Sequence, residues 1–275
     1  MLEFTEELMV HHAPIALAEH VEALQASGRY TFTKEAAFKA VGATETAFRF
    51  AAIRLAAKGR VVSPRRGFFV VVPIEYRDAG APPPAWYIHD LMAFQGLPYY
   101  VALLSAAALH GAGHQQPQEF QVITSQPLRI VQAGRARIRF FKKSGVEQTR
   151  VVEMKTETGS MRVSTPEATA FDLVAFYRSV GHLNNVATVL ADLIEKIDPK
   201  ELARAAKSGV EPPHVQRLGY LLEQVGGRSA TGPLFDWFSR QSARSVPLQA
   251  GKAATGAQEN RRWKVLVNMH VEVDR

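Results

Sequence analysis

The 275-residue chain contains no cysteine. Disulfide frameworks, Cys-based zinc sites, iron–sulfur clusters and cysteine nucleophiles are thereby excluded. No apolar run approaches the ~18 residues that a membrane-spanning helix needs. The opening MLEFTEELMVHH is acidic where a secretory leader is basic, which leads us to expect a cytoplasmic protein. Glycine-rich phosphate loops of the form G-x-x-x-x-G-K-[ST] are missing, as is the G-x-S-x-G nucleophile elbow. There is no internal repeat and no heptad run. Acidic residues are in the minority, with 26 Asp and Glu against 33 Lys and Arg, for a net charge of +7. What is present is otherwise ordinary: 47% hydrophobic and 21% charged residues supply a sizeable core for one large domain or two smaller ones.

The positive charge is patchy. Residues 28–72 hold nine basic and two acidic side chains, and residues 129–150 hold seven basic and one acidic, whereas 151–199 is net acidic. Concentrated patches steer binding to a polyanion better than a diffuse excess does.

The first eighty residues follow a recognisable order. IALAEHVEALQAS (15–27) has helical apolar spacing, with Pro14 at its start and Gly28 at its end. TFTKEAAFKAVG places a second helix after a Thr33 cap and stops it at Gly42. Thr44 opens a third, TETAFRFAAIRLAAKG, whose Ala47, Phe48, Ala51, Ala52 and Leu55 form one stripe. In RVVSPRRGFFVVVP, Val61–Val62 and Phe68–Val72 predict two strands around a turn at Ser63–Gly67. Helix, helix, glycine turn, helix and basic hairpin predict a winged helix-turn-helix over residues 1–80. In that motif the third helix enters the DNA major groove and the hairpin tip meets phosphates or the minor groove. The candidate DNA-contacting residues are Lys34, Thr44, Thr46, Arg49, Arg54, Lys58, Arg60, Ser63, Arg65 and Arg66. Phe50 and Ile53 lie outward on the same reading. Contact with thymine methyls, packing on a neighbouring element and a rotated core face are the alternatives. One such module reads few base pairs, so two copies on an inverted repeat of double-stranded DNA are expected.

IEYRDAGAPPPA (74–85) reads as a stiff extended connector, and a second domain is expected over residues 86–275. YYVALLSAAALH (99–110) reads as a buried helix of small residues, and FQVIT, RIRFF, RVVEMKT and MRVS read as strands. In RIRFF, Ile138 and Phe140 alternate with Arg137, Arg139 and Phe141, which predicts a half-buried antiparallel sheet with a basic outer face. VSTPEATAFDLV starts a helix for which Ser164, in a capping box with Glu167, and Thr165, before Pro166, are competing caps. Further helices are predicted over 184–197, 199–207, 215–225 and 233–240, a mobile stretch over 242–260, and a late strand in WKVLVN (263–268). The expected fold class is α+β, a winged helix-turn-helix followed by a larger mixed domain with an antiparallel sheet. Arg135, Arg137, Arg139, Lys142 and Lys143 form a candidate second surface for nucleic acid or an acidic partner, with Phe140 and Phe141 available for base stacking.

Catalytic constellations are thin. Glu153-Met154-Lys155 is half of a metal-dependent nuclease pattern, with Glu119 in place of the upstream aspartate, and nuclease action is the alternative function. His110 and His114 have the spacing of a helical zinc pair, but Gly111 and Gly113 interrupt the helix. No cofactor, metal or catalytic residue is expected.

Taken in order, RRGFFVV, YYVALLSAAALHG, FQVITSQP and VSTPEATAFDLV resemble the AbiEi family of antitoxins from bacterial type IV toxin–antitoxin, or abortive infection, systems, over about residues 33–193. The resemblance implies an N-terminal winged helix that represses the antitoxin–toxin operon and a C-terminal antitoxin domain. It also implies a nucleotidyltransferase-like toxin, opposed without a stable complex. The DNA-contacting role then falls on Thr46, Arg49, Arg65 and Arg66, and His110-Gly111 becomes a packing signature.

Overall fold

A computed structural model describes residues 16–113 and 117–273, divided into two compact units. The first comprises residues 16–94 and 131–136, the second residues 95–130 and 137–273, each as far as described. Pro14, Ile15, His11, His12 and His114 lie outside the described residues.

In the first unit, α1 (Leu17–Ala26) buries Leu17, Val21 and Leu24, one face at helical spacing. The Thr-Phe-Thr triplet, rich in strand-forming side chains, makes a short strand β1 (Thr31–Thr33) to which the sequence reading assigned no element beyond the Thr33 cap. Thr33 then caps α2 (Lys34–Val41), its hydroxyl accepting from the Ala36 N–H at 3.1 Å. Left-handed Gly42, at φ +62°, ends that helix. Thr44 caps α3 (Glu45–Ala57), and the hairpin β2 (Val61–Arg65) and β3 (Phe68–Val71) follows. The sheet order is β1-β3-β2, antiparallel throughout. Its core joins Val21, Phe32, Ala37, Val41, Phe48 and Leu55, with Phe32 stacked on Phe69 at 5.0 Å. Beyond the proline run, Trp86 packs edge-on against Tyr30 and Tyr76, and α4 (Ile88–Gln95) follows.

The second unit opens with β4 (Tyr99–Val101) and α5 (Leu103–Leu109). The predicted single helix over 99–110 therefore starts late. A continuous apolar run does not separate a buried strand from a buried helix, and the switch falls where Leu103 takes φ +55°. β5 (Phe120–Thr124) is next. β6 (Val131–Ala133) belongs to the first unit, where Gly134 lies so close that a Cβ on it would meet the Ala79 carbonyl at 2.1 Å. β7 (Ala136–Lys142), β8 (Val151–Thr156) and β9 (Gly159–Ser164) complete the sheet of the second unit, in the order β7-β5-β4-β9-β8.

This sheet is mixed, which corrects the antiparallel expectation: β5–β7 and β4–β9 are parallel, β4–β5 and β8–β9 antiparallel. Side-chain alternation reports burial and is blind to strand direction. Along β7, Ile138 and Phe141 are buried and Phe140 is half-buried, so both faces are partly covered.

The helices are α6 (Pro166–Ala175), α7 (His182–Leu193), α8 (Pro199–Lys207), α9 (Pro212–Gln224) and α10 (Gly232–Phe238). Thr165 caps α6 by accepting from Ala168 N–H at 3.3 Å. Ser164 instead bonds Thr169, and Glu167 reaches the Asp198 N–H at 2.9 Å. The stretch expected to be mobile carries β10 (Val246–Pro247) and β11 (Gln258–Asn260), joined by β12 (Val265–Val267). Trp263 locks this sheet onto α9: its ring is fully buried, and a Cβ on Gly219 would lie 2.4 Å from it. The architecture is mixed α+β.

Candidate nucleic-acid interface

The outward face of α3 follows from its inward one. Phe48 and Leu55 are 3% and 6% exposed, Phe50 and Ile53 are 50% and 57% exposed. The core face is therefore where the sequence placed it, and at ~100° per residue Thr46, Phe50, Ile53 and Ala57 line the opposite side. Arg49 and Arg54 flank that line, both exposed. The Arg49 guanidinium sits 5.2 Å over the Phe50 ring. Cation and apolar surface are thus presented together.

The hairpin tip is held by its own hydrogen bonds. Arg65 pairs with Phe68, leaving Arg66-Gly67 as a two-residue turn, with Gly67 at φ +87°. Ser63 Oγ donates to the Arg65 and Phe68 carbonyls at 2.8 and 3.0 Å, absorbing the bulge between Val62 and Arg65. The Gly67 carbonyl accepts from the Lys34 N–H at 2.8 Å, so the first turn of α2 anchors the turn of the hairpin.

Electrostatics place tip and helix side by side. The Glu45 carboxyl is held below its usual pKa, first by a hydrogen bond from Lys34 and then by that cation's charge, with Arg49 and Arg66 adding to the field. The charges of Arg49 and Arg66 therefore both act on the start of α3.

The ten predicted contact residues sort by what else they do. Thr44 caps α3. Lys34 pairs with Glu45, Arg60 pairs with Glu22 at 3.0 Å, and Ser63 closes the hairpin. Thr46, Arg49, Arg54, Lys58 and Arg66 are exposed, and Arg65 is half-buried at the tip. Glu45 is the group that sequence reasoning did not weigh. Its spacing from Lys34 across the α2–α3 turn carries no local signal.

The second basic segment behaves differently. Arg135 belongs to the first unit and the other four to the second. Glu119 binds Arg137 at 2.9 Å and Arg139 at 3.4 Å. Lys143 turns inward, its ammonium 2.7 Å from Asp172, 3.1 Å from the Tyr100 hydroxyl and 3.2 Å from Thr149. Tyr100 donates to the other Asp172 oxygen at 3.0 Å. Burial pushes the Tyr100 hydroxyl well above its ordinary pKa, so it stays a donor. Burial also pushes the Asp172 carboxyl up, against the pull of Lys143. Lys142 remains exposed.

The carboxylates of the nuclease alternative are kept apart. Glu119 leads into β5 and Glu153 lies on β8, three strands away in the sheet, or ~14 Å at the usual spacing. Glu119 is also occupied by two arginines. No group of three His, Asp or Glu able to hold a metal occurs among the described residues. His110 bonds the Ser164 carbonyl at 2.7 Å, a packing role. No described helix is long and apolar enough to cross a membrane.

Residues 100–224 match the family described as the AbiEi antitoxin C-terminal domain. No curated protein matches the chain. The crystal structure of the RV2827C protein from Mycobacterium tuberculosis superposes with a TM-score of 0.64, at 16% identity over 92% of each chain. At that identity the likeness is one of fold.

Proposed function

We propose, from the match of residues 100–224 to the AbiEi antitoxin C-terminal domain, that the protein is the antitoxin of a type IV toxin–antitoxin system and represses its own operon by binding operator DNA. The first unit is read as a winged helix-turn-helix, with α3 in the major groove and the Arg65–Arg66 tip on phosphates. The observation that carries this reading is the outward face of α3. Thr46, Phe50 and Ile53 flanked by Arg49 and Arg54 combine hydrogen-bonding, apolar and cationic groups beside an anchored basic turn. Phe50 and Ile53 suit thymine methyls, which apolar side chains read in the major groove. Two copies meet on an inverted repeat. The second unit opposes a nucleotidyltransferase-like toxin without a lasting complex, and repression requires no catalysis by this chain.

The test is a fluorescence anisotropy titration of the full chain against its own upstream duplex and a scrambled one, at two salt concentrations. Specific, saturable binding two copies per site is expected. Equal, weak binding to both duplexes overturns the repressor reading. Arg49→Ala is expected to change the preferred sequence. A uniform loss on both duplexes would remove Arg49 from the base-reading set.

A further inference from the structure

The second unit contains an open cavity of about 630 Å³, within the range of ~300–1,000 Å³ typical of small-molecule sites. It lies between the loop after β7, the face of α6, and the junction of α8 with α9. Nothing in the proposed repressor or antitoxin roles uses it.

Its inner wall is already ordered. The three protons of the Lys143 ammonium go to Asp172, Tyr100 and Thr149, so this pair is internally neutralised and holds the 143–149 loop against α6. Three of the remaining polar groups keep hydrogen-bonding capacity. Lys142, on the rim, makes no ion pair or hydrogen bond with any described residue. Arg150 is half-exposed and uses one terminal nitrogen on Glu201, leaving its other N–H groups available. The half-buried His214 ring has no hydrogen-bond partner among the described residues. Burial, then the charges of Arg217 and Lys143, favour its neutral form against the opposing pull of Glu211. The apolar lining comes from Phe171, Ala175, Phe176 and Val210. Glu211 is the one lining carboxylate without an ion pair among the described residues, and it is exposed.

We propose that this cavity binds a small organic anion with a planar apolar body, the head at Lys142 and Arg150 near the His214 ring and the body against Phe171 and Phe176. Carboxylate, sulfonate and phosphate heads share this chemistry, because each accepts charge-assisted hydrogen bonds from ammonium and guanidinium.

The probe is 8-anilinonaphthalene-1-sulfonate, an aromatic sulfonate, titrated into the full chain and followed by fluorescence. One saturable site is expected. Ala175→Trp, which fills the apolar wall, is expected to abolish the signal. Lys142→Glu, an exposed change that leaves folding untouched, is expected to weaken binding at least tenfold with an unaltered melting curve. Competition by indole-3-acetate or by adenosine monophosphate assigns the head to carboxylate or phosphate. No enhancement, or one unchanged in both variants, overturns the proposal, the latter because the dye then sits elsewhere, as on Phe50 and Ile53 of α3.

Discussion

Two stretches of this chain are almost equally basic, +7 over residues 28–72 and +6 over 129–150, and the fold spends those charges differently. On α3 and the hairpin, Arg49, Arg54, Lys58 and Arg66 stay exposed, while Lys34 pairs with Glu45 and Arg60 with Glu22. In the second stretch, Arg137 and Arg139 close on Glu119, Lys143 goes inside to Asp172, and Arg150 meets Glu201. Equal net charge is therefore a poor guide to equal affinity for a polyanion. What counts is how many cations have no closer carboxylate.

The sharpest way to break this comparison is Lys143→Ala. Asp172, 1% exposed, would lose its cation, and removing one partner of a buried pair costs about 3 kcal/mol. Urea unfolding should show that loss, while DNA affinity per folded molecule stays the same. A loss below about 1 kcal/mol, the range of a surface pair, would show that Lys143 is a surface cation after all. Arg65→Ala with Arg66→Ala should do the converse. DNA affinity should fall about tenfold, or ~1.4 kcal/mol, and the salt dependence should become shallower by ~0.9 per lost phosphate contact. An unchanged salt slope would move the phosphate contacts away from the hairpin. Thr44→Ala removes the α3 cap and should cost about 1 kcal/mol in thermal unfolding. No measurable loss would mean that tertiary packing alone sets where α3 begins. The smallest effect is expected from Glu119→Gln, which releases Arg137 and Arg139 from half-exposed ion pairs worth at most ~1 kcal/mol. Affinity for scrambled DNA should stay within about twofold. A marked rise would mean that Glu119 masks a second nucleic-acid surface.

Much of the first unit was legible because its signals are local. Thr33, Gly42 and Thr44 mark helix ends through bonds to their own neighbours. The stripe of Phe48 and Leu55 fixes the outward face of α3 by periodicity alone. β1 escaped because three residues carry no period. Their partner on β3 is more than thirty positions away. In the second unit, Thr165 was one of two caps the sequence allowed, and the choice fell to contacts from afar. Ser164 is taken by Thr169 and the Val101 carbonyl, and Glu167 by the Asp198 N–H.

The sequence by itself determined the elements whose cause lies within one turn or one strand: the α3 face, the capped starts of α2 and α3 at Thr33 and Thr44, and a hairpin after α3, though not its two-residue turn. Tertiary structure alone decided strand direction in the mixed sheet, the strand at Tyr99–Val101, the ordering of residues 242–260 around Trp263, and which cations are drawn onto carboxylates. The reason is range. Periodicity and capping are written in neighbours, whereas Glu119, Asp172 and Glu201 reach their cations only when strands and helices distant in sequence are packed together.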